Sequence, residues 1–461
     1  MRTFTNPEEK RKYLTEEPIP RLILTMALPA IVSMLISSFY NMADTYFVGQ
    51  INTESTAAVG VVFPLMSIIQ ALGFTFGHGS GNYISRALGH GDVEHARKMA
   101  TTGFVSAFIA GALFGALGLI FLEPLVQILG ATPTIAPYAR DYALYILIGT
   151  PFMASSLVLN NQLRFQGSAF FGMIGMGAGA VINIGLDPLF IFVLDMGVSG
   201  AALATILSQI VSFFLLLRGC TRGGNIAIHL REFAPSLSRY KEILRGGLPS
   251  LFRQGLGSVA SICLNFAAGL YGDAAIAGMS IVTRVLQFAN SSVIGFGQGF
   301  QPVCGFNYGA REYKRVRQAF WFTVIVGFCV LVVFSTLGIV FAPDVVAIFR
   351  REDQQVIEIG ALSLRLQCIA YPFTAFVVIS NMMMQTIGKP LKASITAAAR
   401  SGIFFIPAIL ILPQFLGLLG VQMSQAVADV CSLILTIPLT FSVLAEMKRQ
   451  EKVEEPLFGD H

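Results

Sequence analysis

The stretch VINIGLDPLFIF, residues 181–192, places an aspartate and a proline inside a run of apolar residues. The rest of the chain is equally apolar. Of its 461 residues 54% are hydrophobic and 12% are charged, and the mean hydropathy is +0.68. A charged side chain costs about 2.5–3.5 kcal/mol at the centre of a bilayer on insertion scales. The aspartate therefore indicates a functional site inside a membrane protein.

Apolar segments long enough to cross a bilayer recur along the whole chain. A spanning helix needs about 20 residues, and a lipid-facing backbone must satisfy its own hydrogen bonds. The segments lack the short alternation of barrel strands. We predict an all-α membrane protein with twelve transmembrane helices, near residues 22–48, 56–82, 99–122, 138–163, 168–194, 200–217, 246–271, 275–305, 318–342, 357–386, 393–412 and 418–444.

Four sequence pairs recur at an offset of roughly 220 positions. One pair is GTPFMASSLVLNNQ at Gly149 and AYPFTAFVVISNMM at Ala370. The repeat predicts two six-helix lobes, residues 1–217 and 246–461, joined by a basic cytoplasmic linker at 218–245. Because six is even, both lobes cross the membrane in the same direction, as in a parallel pseudo-two-fold repeat. Such halves around a central cleft are typical of alternating-access carriers.

Lys and Arg residues predict the orientation. They gather in the N-terminal segment, in alternate loops, in the 218–245 linker and in the C-terminal tail, whereas the opposite loops hold only Arg350 and Arg351. We therefore predict that both termini lie in the cytoplasm. The protein itself is predicted to lie in the inner (plasma) membrane of the cell. The net charge of +5 is a topology signal, so we expect no nucleic-acid partner. Residues 1–20 run directly into an apolar helix, so we expect no cleavable signal peptide.

Several classes of function lack support in the sequence. It contains no GxxxxGK[ST] motif, and the predicted loops are too short for a nucleotide-binding domain. Its six cysteines show no CxxC spacing and its five histidines no ligand spacing. No nucleophile and base stand in a catalytic pattern. We therefore expect a non-enzyme without a cofactor, driven by a gradient of H+ or Na+.

The opening stretch gathers three oxygen-bearing groups. Asn183 and Asp187 are four residues apart and share one helix face. Pro188 has no N–H, so the carbonyl of Ile184 loses its usual helical donor and can bind something else. This combination of a carboxylate, an amide and a carbonyl predicts half of a cation or proton site.

Asp44 supplies the other half in our interpretation. It lies deep in the first predicted helix, with Tyr40 and Asn41 beside it. Two carboxylates close together in a low dielectric cannot both stay ionised unless a cation lies between them. Either Na+ or a proton would relieve the repulsion between Asp44 and Asp187. The alternative is that each aspartate caps or packs within its own lobe.

Five motifs follow one another along the chain: LPA with Pro29, YNMADTYFVG with Asp44, AAVG at Ala57, NIGLDPLF with Asn183 and Asp187, and GAALAT ending at Thr205. Their order and spacing resemble the multidrug and toxic compound extrusion (MATE) family, above all its prokaryotic members with an aspartate in the first helix. The resemblance covers essentially all twelve predicted helices. It implies a V-shaped pair of lobes around a central cavity, exporting amphipathic, often cationic drugs in exchange for Na+ or H+.

The resemblance also implies roles for single residues. The positions that form the cation or proton site of the N-terminal lobe in such relatives match Asp44, Asn183, Asp187 and Thr205.

Three further positions follow from the same resemblance. Tyr142 and Asn160 fall where the polar network continues, and Pro29 falls where the first helix bends when the carboxylates change state. Other branches of the family place acidic residues on the seventh and tenth helices. Here the seventh helix offers Arg253 and the tenth has no acid, so the N-terminal lobe is left to carry the coupling.

The C-terminal half holds three arginines, Arg253, Arg284 and Arg400, against a single buried acid, Asp429. Arg253 and Arg400 lie near helix ends from which long side chains reach the interface. Arg284 lies deeper, so we predict that it pairs with Asp429. A role of Arg284 in substrate recognition or gating is the alternative.

The sequence thus predicts a secondary active multidrug exporter, a monomer in the lipid bilayer that moves small organic compounds by alternating access. Met176, two turns before Asn183 on roughly the same face, is the best candidate to line the substrate cavity, together with Arg284. A lipid-linked oligosaccharide flippase of the same superfamily is the alternative function. We would expect a more basic central cavity for its diphosphate head groups. The choice between H+ and Na+ stays open.

Overall fold

The computed structural model describes residues 4–349 and 351–454, and the regular structure in these ranges is entirely helical. Arg350, which the sequence places on the side opposite the termini, lies outside the described residues. The description also leaves out the side chains of Ser38, Asn41, Met42, Thr45, Thr53, Val453 and Glu454.

Contacts between helices divide the chain into two compact units. The first unit comprises the chain up to Glu16 together with Leu28–Gly247. Within it α6 is central, because it packs against α3, α4, α7 and α8. Its helices are α1 (Pro7–Glu16), most of α2 (Ile19–Gly49), α3 (Thr53–His90), α4 (Val93–Ile120), α5 (Leu122–Ile128), α6 (Ala136–Phe165), α7 (Ala169–Pro188), α8 (Gly197–Cys220) and the start of α9 (Leu237–Gly269).

The second unit comprises Glu17–Ala27 together with the chain from Leu248 onward. A 3-10 turn at Tyr371–Phe373 separates α13 from α14, and a π-helical turn at Ala399–Ile403 separates α15 from α16. Besides the rest of α9, its helices are α10 (Asp273–Gly309), α11 (Tyr313–Val340), α12 (Ala342–Phe349), α13 (Gln354–Ala370), α14 (Thr374–Thr386), α15 (Pro390–Ala398), α16 (Phe405–Leu416) and α17 (Leu418–Glu454).

In the described residues, ten helical stretches are long and apolar enough to cross a membrane. A helix covers each of the twelve predicted ranges, but α9 and α10 are not among the ten. Polar residues such as Arg253 in α9 and Arg284 in α10 lower the hydropathy of these two helices. The chain is therefore a multi-pass membrane protein, while the count of twelve spans stays a prediction.

The segment 218–245, predicted as a linker, packs into the first unit. The N–H of Ile226 donates to Oε1 of Gln166 at 2.7 Å, and the Tyr240 hydroxyl lies 2.9 Å from that of Ser106. Ile226 is buried, and α9 already begins at Leu237. The segment is therefore held to the first unit by hydrogen bonds and by a buried apolar side chain.

Helix α2 contributes to both units, because the division of the chain falls between Ala27 and Leu28. The helix runs through Pro29 without interruption. Proline has no N–H to donate, so the carbonyl of Thr25 lacks its normal helical partner. The predicted bend at Pro29 thus has a local physical basis, and it stays a prediction.

Candidate cation site

Two glycines allow α7 and α8 to approach closely. A Cβ on Gly179 would overlap Oγ of Ser212 and lie 3.0 Å from the carbonyl oxygen of Ser208. A Cβ on Gly200 would lie 2.7 Å from the carbonyl carbon of Phe190. At Gly200 the obstacle is backbone, whereas at Gly179 the Ser212 side chain would have to move. The close approaches at Gly179 and Gly200 lie on either side of the place where side chains of α7 contact the backbone of α8.

Asn183, Asp187 and Thr205 form a buried polar cluster at that place, and each is at most 1% exposed. In one amide orientation, Nδ2 of Asn183 donates to Oδ2 of Asp187 at 3.1 Å and its Oδ1 accepts from the Thr205 N–H at 3.3 Å. In the other, Nδ2 lies 3.5 Å from both Asp187 Oδ1 and Thr205 Oγ1. The first orientation satisfies both ends of the amide, so Asn183 ties the carboxylate to α8.

Helix α2 brings Tyr40 and Asp44, one turn apart, to the same cluster. The Tyr40 hydroxyl is hydrogen-bonded to the side chain of Thr205, and it lies within electrostatic range of both carboxylates. Asp187 lies within electrostatic range of Asp44. Oδ1 of Asp44 is buried and accepts no hydrogen bond from the described residues.

Tyr142 of α6 borders the cluster from a third helix. It is 1% exposed, and its hydroxyl contacts Sδ of Met66 at 3.9 Å. It lies within electrostatic range of Asp44, Asp187 and Tyr40. The structure thus places Tyr142 near the carboxylates, and its part in a polar network stays a prediction.

Neither Asp44 nor Asp187 has a basic partner in the part of the chain that the structure describes. Across residues 4–349 and 351–454, no lysine or arginine forms an ion pair with Asp44 or Asp187. Below Asp187, α7 ends at Pro188 and continues as a π-helical turn, Leu189–Val193, and π-helical turns are frequent at functional sites. Carboxylate, amide and hydroxyl oxygens suit hard cations, and the carboxylates also suit a proton.

Other residues of the predicted site lie elsewhere. The amide oxygen of Asn160 faces Gly172 near the start of α7. Fifteen positions separate Gly172 from Asp187, about 22 Å along a helix at 1.5 Å per residue, so the structure does not bring Asn160 to the carboxylates. Met176 packs beside buried apolar side chains such as Phe213. The side chain of Asn41 lies outside the described residues.

The predicted pair of Arg284 and Asp429 is wrong. Nε of Arg400 donates to Oδ1 of Asp429 at 2.7 Å, whereas Arg284 lies on the exposed face of α10. The physical reason is helix rotation: depth in the sequence does not tell which face a side chain occupies. Arg253 donates from Nη1 to Oδ1 of Asn381 at 3.4 Å.

Sequence reasoning missed two partners of this ion pair. Nε2 of Gln425 donates to Oδ1 of Asp429 at 2.9 Å, and the Arg400 guanidinium lies 5.7 Å from the ring centroid of Tyr371. The four-residue spacing of Gln425 and Asp429 was the signal that could have found the first. A polar cavity of about 250 Å³ borders the pair in the second unit. Its polar lining includes Gln287, Asn290, Gln367, Tyr371, Arg400 and Gln425.

Comparison with known proteins gives one family and several relatives. The family model MatE matches residues 29–189 and 249–411. Multidrug export protein MepA of Staphylococcus haemolyticus is 27% identical over 444 residues, which cover 95% of this chain and 96% of that protein.

Solved structures agree over the whole chain. One is described as the outward-facing conformation of a multidrug resistance MATE family transporter of the MOP superfamily; it shares 27% identity with a TM-score of 0.90, covering 97% of this chain and 100% of that chain. Another is described as a crystal structure of MATE in the bent conformation, with 27% identity and a TM-score of 0.90, covering 98% of this chain and 100% of that chain.

Proposed function

The chain belongs to the MatE family, and from this we propose that it is a secondary active antiporter, which exports amphipathic, often cationic organic compounds in exchange for H+ or Na+. Multidrug efflux is the coarser function that the family and the MepA relative support. The coupling ion and the substrate class are our extension of it.

One observation carries this proposal: two buried carboxylates of the first unit, Asp44 and Asp187, lie within electrostatic range of each other without a cationic partner among the described residues. A buried charge without a counter-charge is costly. Binding of a proton or of Na+ removes most of that cost, so the site takes up a cation readily. An organic cation or the movement that follows its binding can then drive the cation out again.

The contacts that hold the cluster suggest how uptake changes the structure. Asp44 lies on α2, while Asp187 is tied through Asn183 to α8. When a cation or proton joins the two carboxylates, α2 is drawn toward α7, and when it leaves, their repulsion separates them. Pro29 is where α2 can absorb such a movement, because the missing N–H weakens the helix there.

The test is efflux from vesicles that contain the purified protein. A sodium gradient and a pH gradient are imposed separately, and the export of a fluorescent organic cation is followed. We expect one gradient, or both, to drive export. Asp44→Asn and Asp187→Asn should reduce driven export to the level of empty vesicles, because an amide cannot take up and release a charge.

A matched control is Asp195→Asn. Asp195 is exposed and lies eight positions beyond Asp187, so the same isosteric change removes a carboxylate outside the cluster. This variant should export like the unmodified protein. Export that responds to neither gradient, or that survives both substitutions in the cluster, contradicts the proposal.

We also propose that both termini face the cytoplasm, that the protein lies in the plasma membrane and that it works as a monomer. The basic ends of α11 and α17, with Lys314 and Lys448, support this orientation. Arg140 belongs to the opposite side together with Glu123, to which it is bonded at 3.0 Å. It is one arginine against the many basic residues of the other side, so it does not reverse the proposed orientation.

A further inference from the structure

A groove in the second unit runs between the start of α11 and the end of α17. Its volume is about 800 Å³. Lys314 and Trp321 lie seven positions apart on α11, as do Phe441 and Lys448 on α17, and this spacing puts each pair on one helix face. The two helices run in opposite directions, so both lysines lie at the same end of the groove. The two aromatic side chains lie about 10 Å farther along at 1.5 Å per residue.

The aromatic part of the groove forms a continuous apolar floor. The ring of Trp321 lies 6.2 Å from that of Phe441 and 6.3 Å from that of Phe376. Trp321 is 38% exposed and Phe441 is 51% exposed. Leu444 closes the floor between them and the polar end. A hydrocarbon chain laid along this floor would cover exposed apolar surface that the protein itself leaves open.

The opposite end of the groove carries uncompensated positive charge. Glu451 is bound by Arg317 at 2.6 Å, and Glu446 is bound by Lys389 at 2.5 Å. Lys314 and Lys448 are exposed. Throughout the described ranges, neither of them forms an ion pair. Glu446 and Glu451 are thus already paired, and the ammonium groups of Lys314 and Lys448 remain for an outside anion.

A ligand complementary to the whole groove has an anionic group joined to an apolar chain. A soluble anion would use the lysines and leave the floor bare, and a neutral lipid would cover the floor and leave the lysines without a counter-charge. We propose that this groove binds an anionic glycerophospholipid, with its phosphate between Lys314 and Lys448 and one acyl chain along Trp321 and Phe441. Basic and aromatic side chains together at this depth are typical of a membrane interface.

Trp321 makes the proposal directly testable, because it is the only tryptophan of the chain. The protein is reconstituted in phosphatidylcholine vesicles that contain a small, equal fraction of brominated phosphatidylglycerol or brominated phosphatidylcholine. Bromine quenches tryptophan fluorescence only at short range. We expect much stronger quenching by the brominated phosphatidylglycerol, with each lysine contributing about fivefold to the preference.

Two measurements test whether the preference for brominated phosphatidylglycerol depends on Lys314 and Lys448. In Lys314→Gln/Lys448→Gln the two lipids should quench equally, whereas Lys241→Gln, which removes an exposed lysine of the first unit, should keep the preference. In the unmodified protein, 1 M salt should reduce it, since the Debye length then falls to about 3 Å. The salt series needs no variant, so it tests whether the preference is ionic even if the double variant does not fold; a preference unchanged in 1 M salt would overturn the proposal.

Equal quenching of the unmodified protein by the two lipids would overturn the proposal, because it would mean a general lipid shell. A preference that survives the double substitution would overturn it as well. Neither outcome bears on the export mechanism, since the groove shares no residue with the carboxylate cluster. Failure of the lipid site and failure of the antiport are therefore distinguishable.

Discussion

Each unit contains a buried carboxylate near a π-helical turn, but the two carboxylates have different partners. Asp187 accepts from the neutral amide of Asn183, whereas Asp429 accepts from the guanidinium of Arg400. The second site brings its own counter-charge and needs none from outside. The first site lacks one, so only there can a cation gradient alter the balance of charge. The difference teaches that the partner, rather than burial, separates a responsive carboxylate from a structural one.

The largest expected effect comes from removing the charge of Asp429. Asp429→Asn leaves Arg400 buried without a counter-charge, and the unfolding free energy should fall by about 3–5 kcal/mol. Thermal unfolding in detergent measures the change. Arg400→Met/Asp429→Leu should recover most of the loss, because an apolar pair of similar volume carries no charge to bury. An unchanged thermal midpoint in Asp429→Asn would show that the ion pair does not stabilise the fold.

The same substitution at Asp187 should change the unfolding free energy in the opposite direction. At alkaline pH and low Na+, where the carboxylate is ionised, Asp187→Asn removes a buried charge that has no cationic partner among the described residues, so the unfolding free energy should rise by about 1–2 kcal/mol. The amide at position 187 can still pair with Asn183. Thermal unfolding under identical conditions compares the two variants. Destabilisation of both to a similar degree would break the comparison.

A third buried charge extends the comparison outside the membrane. Lys10 of α1 is 1% exposed and donates to Oγ of Ser168 at 2.6 Å and to Oδ1 of Asn225 at 2.5 Å. No acid faces it among these contacts. Burial lowers the pKa of Lys10 from 10.5 to about 7. Like Asp187, it is held by neutral partners.

The lowered pKa predicts how stability depends on pH. Between pH 7 and 10.5 the unfolded chain keeps the Lys10 proton while the folded chain releases it, so stability should rise with pH across this window. The stability gained in this way should be lost again as the pH falls toward 7. Thermal midpoints measured from pH 7 to 10 test this, and Lys10→Met should flatten the rise. A rise of equal size in Lys10→Met would assign it to other groups.

The smallest expected effect concerns Tyr371, which borders the paired site. Its hydroxyl donates to the carbonyl oxygen of Leu286 at 2.7 Å. Tyr371→Phe should cost about 1 kcal/mol of unfolding free energy and leave gradient-driven export intact, because the site it borders is structural. Loss of export in this variant would show that the second unit also takes part in coupling.

The sequence predicted some parts of the candidate site and missed others for definite reasons. The spacing of Asn183 and Asp187 decides that they share a face, because helix geometry is local. Which arginine meets Asp429 depends on the rotation of α10 and on the π-helical turn before α16, and no local pattern in the sequence fixes either. Asn160 lies far along α6 from Asp187, and the sequence did not show that separation; its part in a wider polar network stays a prediction.

The sequence by itself determined the apolar helices, their approximate ends and the family, because the length of an apolar run and the order of motifs are properties of the chain. Only the tertiary structure decided which polar groups meet. Gly179 and Gly200 let α7 and α8 approach closely enough for Asn183 to reach the Thr205 backbone, and α2 then brings Asp44 within electrostatic range. Such contacts follow from the packing and rotation of whole helices, since electrostatic energy depends on distances between side chains far apart in the chain.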